Sequence, residues 1–191
     1  MNSDKAVAVN FTNRFALNLT QIGSGTVTLN PPPIVTPEGS LYDAGTVVTV
    51  TATPDSGHRF DGFSGDLSGT LSPQTITMDT NQDIAATFIQ EFTATITTIG
   101  SGIITLDPPG GLYDIGTVVT VIATPDSGHR FAGFSGDLTG TTPSQTLTMN
   151  SDNNVTGAFL QQFDLNLTEA GFGNVTLDPA PFTPTPTGGL Y

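Results

Sequence analysis

A block of 29 residues occurs twice in this chain. Residues 42–70 read YDAGTVVTVTATPDSGHRFDGFSGDLSGT, and 71 positions later residues 113–141 read YDIGTVVTVIATPDSGHRFAGFSGDLTGT, with only four differences. So close a match means tandem copies of one small module, and the chain is therefore read as an array. An array shifts the expectation toward a structural or adhesive role and away from a single active site.

The repeat accounts for the flanks as well. Residues 1–11 align with 78–88 and 149–159, so Met1, Met78 and Met149 hold one position of the unit. Residues 163–191 repeat the opening of the unit, which also occurs at 15–42 and 92–113. The expected organisation is a last strand of a preceding repeat at 1–14, unit 1 at 15–91, unit 2 at 92–162, and the first hairpin of a further, incomplete repeat at 163–191. On this phasing the chain is expected to be a window on a longer protein. Units of about 71–77 residues bury only about 60% of their unfolded surface, so packing against neighbouring repeats would help them.

Composition removes several function classes. Seventeen acidic residues face four basic ones (Lys5, Arg14, Arg59 and Arg130), for a net charge of −13. That balance opposes binding to phosphate backbones or anionic lipid, and no nucleic-acid partner is expected. With no cysteine, neither disulfides nor thiolate metal sites are available. No run approaches the roughly 20 apolar residues of a membrane-spanning helix. Scarce lysine, absent cysteine and abundant Thr, Gly and Pro suit an extracellular or cell-surface protein.

The local pattern alternates with period two, is rich in Val, Ile, Thr and Phe, and is punctuated by Gly and Pro every eight to twelve residues. This is the signature of an all-β fold. No apolar period of 3.6 residues appears, so no long helix is expected. In each unit Phe15, Leu17 and Leu19 (or Phe92, Ala94 and Ile96) predict a first strand. A Gly-Ser-Gly turn then leads to a second strand, with Val27 and Leu29, expected to pair with the first as a hairpin. A proline-rich connection follows, six residues longer in unit 1 (30–41) than in unit 2 (107–112), and reads as a surface loop. A third strand at 45–53 directs Val48, Val50 and Ala52 to one face. Its other face, where Thr51 becomes Ile122, is assigned to solvent or a neighbour.

Pro54-Asp55-Ser56-Gly57 is a turn. In the strand after it, Phe60 and Phe63 have opposite parity, so regular pairing would leave one ring in water. A bulge at Gly62, and at Gly133 in unit 2, would turn both rings inward. Ile76 and Met78, a turn at 79–83, and Ile84, Ala86 and Phe88 predict a closing hairpin. Each unit should be a small six-stranded antiparallel sandwich or roll. Because its last strand runs within a few residues into the next unit's first, a stiff string is expected.

The phased motifs carry a resemblance. GTVTL-(N/D)-PP, then LYD-x-GTVVTV-x-ATPDSGHRF-x-GFSGDL-(S/T)-GT, then (I/L)TM and an aromatic strand resemble the divergent internalin-type B-repeats of bacterial surface and secreted proteins. The likeness covers nearly the whole chain. Family members commonly carry Trp where this chain has Phe63 and Phe134. What the resemblance implies is a β-rich module in tandem on extracellular proteins: a stalk, spacer or adhesion element without catalysis of its own. No cofactor is expected.

Several polar residues are candidates for chemistry. His58 and His129 would need a shared nucleophile or acid to act as bases, and Ser56, Asp55, Asp61 and Asp66 lie close in sequence. Asp61 becomes Ala132 in unit 2, so it cannot belong to a mechanism common to both; the histidines are expected to pair with turn carboxylates. Arg59 and Arg130 are expected in local ion pairs. Asp79, Asn81 and Asp83, echoed by Asn150, Asp152 and Asn154, have the oxygen-ligand spacing that begins many calcium loops, but lack the Gly and distal Glu of the helix-flanked type. They are weak calcium candidates, and a hairpin turn is the plainer account. Asn10, Asn18, Asn154, Asn166 and Asn174 begin Asn-X-Thr triplets. Lys5 is the sole lysine, so Lys–Asn crosslinks cannot recur in each unit.

The sequence thus points to a non-enzymatic extracellular structural repeat forming a stalk, fibre or filament on or outside a bacterial cell. Its partners would be neighbouring repeats and other copies of itself. The alternative is an adhesive or carbohydrate-binding module contacting surface glycans through the variable proline-rich loops, 31–37 and 179–186.

Overall fold

The computed structural model describes residues 11–37 and 39–163, all strand and connection with no helix. Two compact units divide between Phe92 and Thr93. Predicted features of residues 1–10 and 164–191 lie outside the described residues, among them Lys5, the triplets at Asn10, Asn166 and Asn174, and the loop 179–186.

Unit 1 is built from β1 (Arg14–Ile22), β2 (Gly25–Asn30), β3 (Ile34–Thr36), β4 (Gly39–Asp43), β5 (Val47–Pro54), β6 (His58–Gly65), β7 (Gln74–Thr77) and the first part of β8 (Gln82–Ile99). One sheet runs β6, β8, β1, β4, β3; the other runs β2, β5, β7. Neighbours are antiparallel except β1 and β8, which pair in parallel from Leu17↔Gln82 to Ile22↔Thr87.

Unit 2 repeats the plan. The second part of β8 lies parallel to β14 (Asn153–Gln161), which pairs antiparallel with β12 (His129–Gly136), while β10 (Leu112–Asp114) takes the other side of β8. Its second sheet is β9 (Gly102–Asp107), β11 (Val118–Pro125) and β13 (Ser144–Thr148). The fold is the all-β tandem arrangement read from the sequence.

The alternating faces meet between the two sheets of each unit. Val48, Val50 and Ala52 of β5 bury against Ile84, Ala86 and Phe88 of β8, joined by Tyr42 and Met78. Fully burying a side chain of that size stabilises by about 1.5–3 kcal/mol. On the opposite face of the central strands, Val47 and Val118 are just over half exposed, at 54% and 55%, and Thr51 and Ile122 are half-buried. That places the second face outward.

Both predicted hairpins are corrected. β1 and β2 do not pair but enter different sheets, and so do β7 and β8. The reason lies at the Gly-Ser-Gly corner. Gly23 has φ +80°, and a Cβ there would collide with the Phe88 carbonyl; a Cβ on Gly25 would stand 2.6 Å from the Phe88 ring. The chain therefore folds tightly around Phe88 and clamps its ring between the sheets. Gly100 and Gly102 repeat this around Phe159.

The count of six strands also grows. The Leu-Tyr-Asp segment is itself a strand, β4 or β10, with its tyrosine buried. The longer proline-rich segment of unit 1 folds back as β3 on β4.

The bulge stands where the parity of the phenylalanines requires it. In the β6–β8 ladder Phe60 pairs with Phe88 and Gly62 with Thr87, so Asp61 has no partner; Ala132 is skipped in the same way in unit 2. Gly62 has φ +153°, and a Cβ on it would stand 3.0 Å from the Gly69 carbonyl. Glycine is needed there on both counts. With the register shifted, Phe63 is 5% exposed and its ring meets Phe60 edge-on at 4.8 Å between centroids. Phe131 and Phe134 repeat the contact at 4.6 Å.

Candidate functional site

Several of the polar residues singled out by the repeat hold the backbone in place. Asp66 Oδ2 accepts the Asp83 N–H at 2.7 Å, and Asp137 Oδ2 accepts the equivalent Asn154 N–H at 2.7 Å. Asn81 Oδ1 accepts the Ala16 N–H at 2.9 Å, and its counterpart Asp152 Oδ1 accepts the Thr93 N–H at 2.8 Å. These bonds tie the loop after β6 to β8 and the loop after β12 to β14, and the turn before β8 or β14 to the unit's first strand.

The calcium candidates fall within this scaffold. Asp79 Oδ1 accepts from the Gln82 amide at 3.3 Å, and Asp83 Oδ1 from the Asn18 amide at 2.7 Å. The Asn150 N–H donates to the Thr148 carbonyl at 3.0 Å. Among the described residues no three His, Cys, Asp or Glu side chains gather as a metal would require.

The histidines make a different contact from the one expected. His58 Nδ1 lies 3.3 Å from the Ser56 carbonyl, and His129 Nδ1 3.2 Å from the Ser127 carbonyl. Each ring turns back on its own turn, where a backbone oxygen rather than a carboxylate is within reach. The nearby carboxylate, Asp55, accepts instead from the Ser24 hydroxyl at 2.8 Å, pinning the turn to the Gly-Ser-Gly corner. Arg59 pairs with the bulge residue Asp61 at 2.7 Å, and Arg14 with Asp43 at 2.8 Å. Both pairs are substantially exposed and contribute about 0–1 kcal/mol each.

The proline-rich segments are anchored by tyrosine. The Tyr42 hydroxyl donates to the Pro31 carbonyl at 3.1 Å, and the Tyr113 hydroxyl to the Pro108 carbonyl at 2.9 Å. Burial raises both phenol pKa values above their ordinary 10.0. Beyond its anchor the unit 1 segment presents Val35 at 81% exposure.

A second surface feature lies on the outer face of β6, β8 and β1. Ser64, Ala85 and Thr20 form one cross-strand row, and Asn18 and Asp83 are register partners at its end. The small Ala85 between two hydroxyl residues leaves an open depression of about 230 Å³, lined also by Gly65 and Ile84.

The sequence profile of the divergent InlB B-repeat domain matches residues 15–91 and again 92–162, more than half of the chain. The chain belongs to the divergent InlB B-repeat family. A comparison with curated proteins finds no match. The B-repeat is a structural domain not known for enzymatic activity, and membership indicates a surface-associated repeat protein. No helix among the described residues is long and apolar enough to cross a membrane.

The B-repeat's Asp66, Asn81 and Ser24 escaped sequence reasoning as scaffold residues. One signal was available for Asp66: its Gly-Asp-Leu motif is identical in both copies, though the aspartate itself, unlike the buried Leu67, has no apolar role.

Proposed function

We propose that this protein is a non-enzymatic structural repeat of the cell exterior, an element of a stalk, fibre or filament that spans distance and presents surfaces. The single observation that supports the reading most is the duplicated scaffold: the same buried stripe, phenylalanine clamp and side-chain-to-backbone ties occur in both units. Residues repeated in this way maintain a shape. Single-molecule stretching of the full chain tests the reading. It should give two unfolding events, each releasing about 25 nm as 71–77 residues extend, and extension without discrete events would overturn it. Concentration-dependent sedimentation of the same chain tests self-association into fibres.

A second reading, contact with surface glycans, draws support from β3, which raises Val35 into solvent on a tyrosine-anchored hairpin. A glycan-binding screen of the chain, with and without residues 31–37, tests it. Binding that disappears with the segment is the expected result.

A further inference from the structure

We propose that the depression on the outer face of β6, β8 and β1 in unit 1 is a binding site for one neutral sugar ring. The proposal rests on the glycan-contact reading but places the contact on the sheet rather than on the proline-rich loop.

The depression arises from side-chain size at one register position. Ser64 and Thr20 flank Ala85 from the neighbouring strands, and the alanine leaves space that a larger residue would fill. It is shallow and open to solvent, so its volume of about 230 Å³ admits one pyranose lying against the sheet rather than an enclosed oligosaccharide. The lining matches sugar chemistry. Thr20 and Ser64 both donate and accept, the Asn18 amide does the same, and the Asp83 carboxylate has about four lone-pair sites, of which the bond from Asn18 takes one. The Ala85 methyl offers an apolar patch to the C–H face of a ring.

The groups are also held in place. Asp83 is fixed through its N–H by Asp66 and through its carboxylate by Asn18, on strands paired in parallel register. Less side-chain freedom then remains to be lost on binding. The net charge of −13, together with Asp83 itself, disfavours uronic or sulfated sugars.

Unit 2 supplies an internal comparison. The row there is Ser135, Thr156 and Thr97, so a threonine stands where unit 1 has Ala85, and Thr95 with Asn154 replaces the Asn18–Asp83 pair. The sheet thus accommodates these residues, and their transfer to unit 1 provides substitutions that should fold.

The test is an NMR titration of the full, isotope-labelled chain with the methyl glycosides of glucose, galactose and mannose, and with methyl glucuronide. Affinity in the millimolar range is expected for a ligand of about a dozen heavy atoms on an open surface. At least one neutral glycoside should shift the Asn18 side-chain amide and the backbone amides of Ser64, Asp83 and Ala85, and the glucuronide should not. Ala85→Thr and Asp83→Asn should each weaken binding by about tenfold or more while leaving the melting curve unchanged. Absence of shifts with every neutral glycoside, or binding that survives Ala85→Thr, would overturn the proposal. Shifts confined to residues 31–37 would overturn it too, while upholding the loop as the glycan contact.

Discussion

Asn81 Oδ1 takes the backbone N–H of Ala16, 65 positions earlier in the chain, at 2.9 Å. The bond fastens the turn entering β8 to the start of β1, the strand that β8 joins in parallel. Removing it should leave the Ala16 N–H without its partner. Because the bond is open to solvent, Asn81→Ala is expected to lower the stability of unit 1 by about 0.5–1.5 kcal/mol, read from urea unfolding. Asp152→Ala should do the same to unit 2 through Thr93.

Calcium should not change stability. The side-chain oxygens of Asp79, Asn81, Asp83 and Asp152 each tie one hydrogen bond of the scaffold, and among the described residues no three His, Cys, Asp or Glu side chains gather around one point. Melting curves recorded with calcium and with a chelator should coincide; a rise with calcium would show that the turns release these bonds to bind the ion.

The bulge gives a sharper expectation. Gly62→Ala places a Cβ 3.0 Å from the Gly69 carbonyl at φ +153°, a conformation that costs an L-residue about 1–3 kcal/mol. Phe63→Ala removes the ring that the bulge turns inward and should cost about 3–5 kcal/mol. Chemical denaturation of each variant checks both, and a loss below about 0.5 kcal/mol for either would mean that the register relaxes.

Alkaline pH should destabilise the protein. Burial raises the Tyr42 and Tyr113 pKa values in the folded state, so the unfolded chain ionises first, near 10.0. The stability tied to the neutral phenols is complete below that value and is lost as pH rises through the higher folded value. Denaturant midpoints should therefore fall above pH 10, and less steeply in the double variant Tyr42→Phe with Tyr113→Phe.

The sequence showed the strands and the bulge more clearly than it showed their partners. Alternation at Val48, Val50 and Ala52 decides which side chains face inward, and the clashing parity of Phe60 and Phe63 demands an extra residue between them. Both are local. Whether β1 turns back on β2 or leaves it for β8 depends on Phe88, more than sixty residues away, against which Gly23 and Gly25 close. The β4 strand was hidden for a related reason: it is short, and its ladder partner Phe15 lies 27 positions from Tyr42. At the candidate surface, Ser64, Ala85 and Thr20 come from three strands, and only the register reveals that they form a row.

The residue left unpaired at the bulge has an evolutionary corollary. Asp61 and Ala132 lie outside the β6 and β12 ladders, between two phenylalanines that the bulge has already placed. Neither the core nor the backbone dictates what stands there, and the two copies have diverged at that point. A tandem protein made of such units carries an open letter at the same address in each copy, where surface charge can be rewritten one repeat at a time while the architecture stays fixed.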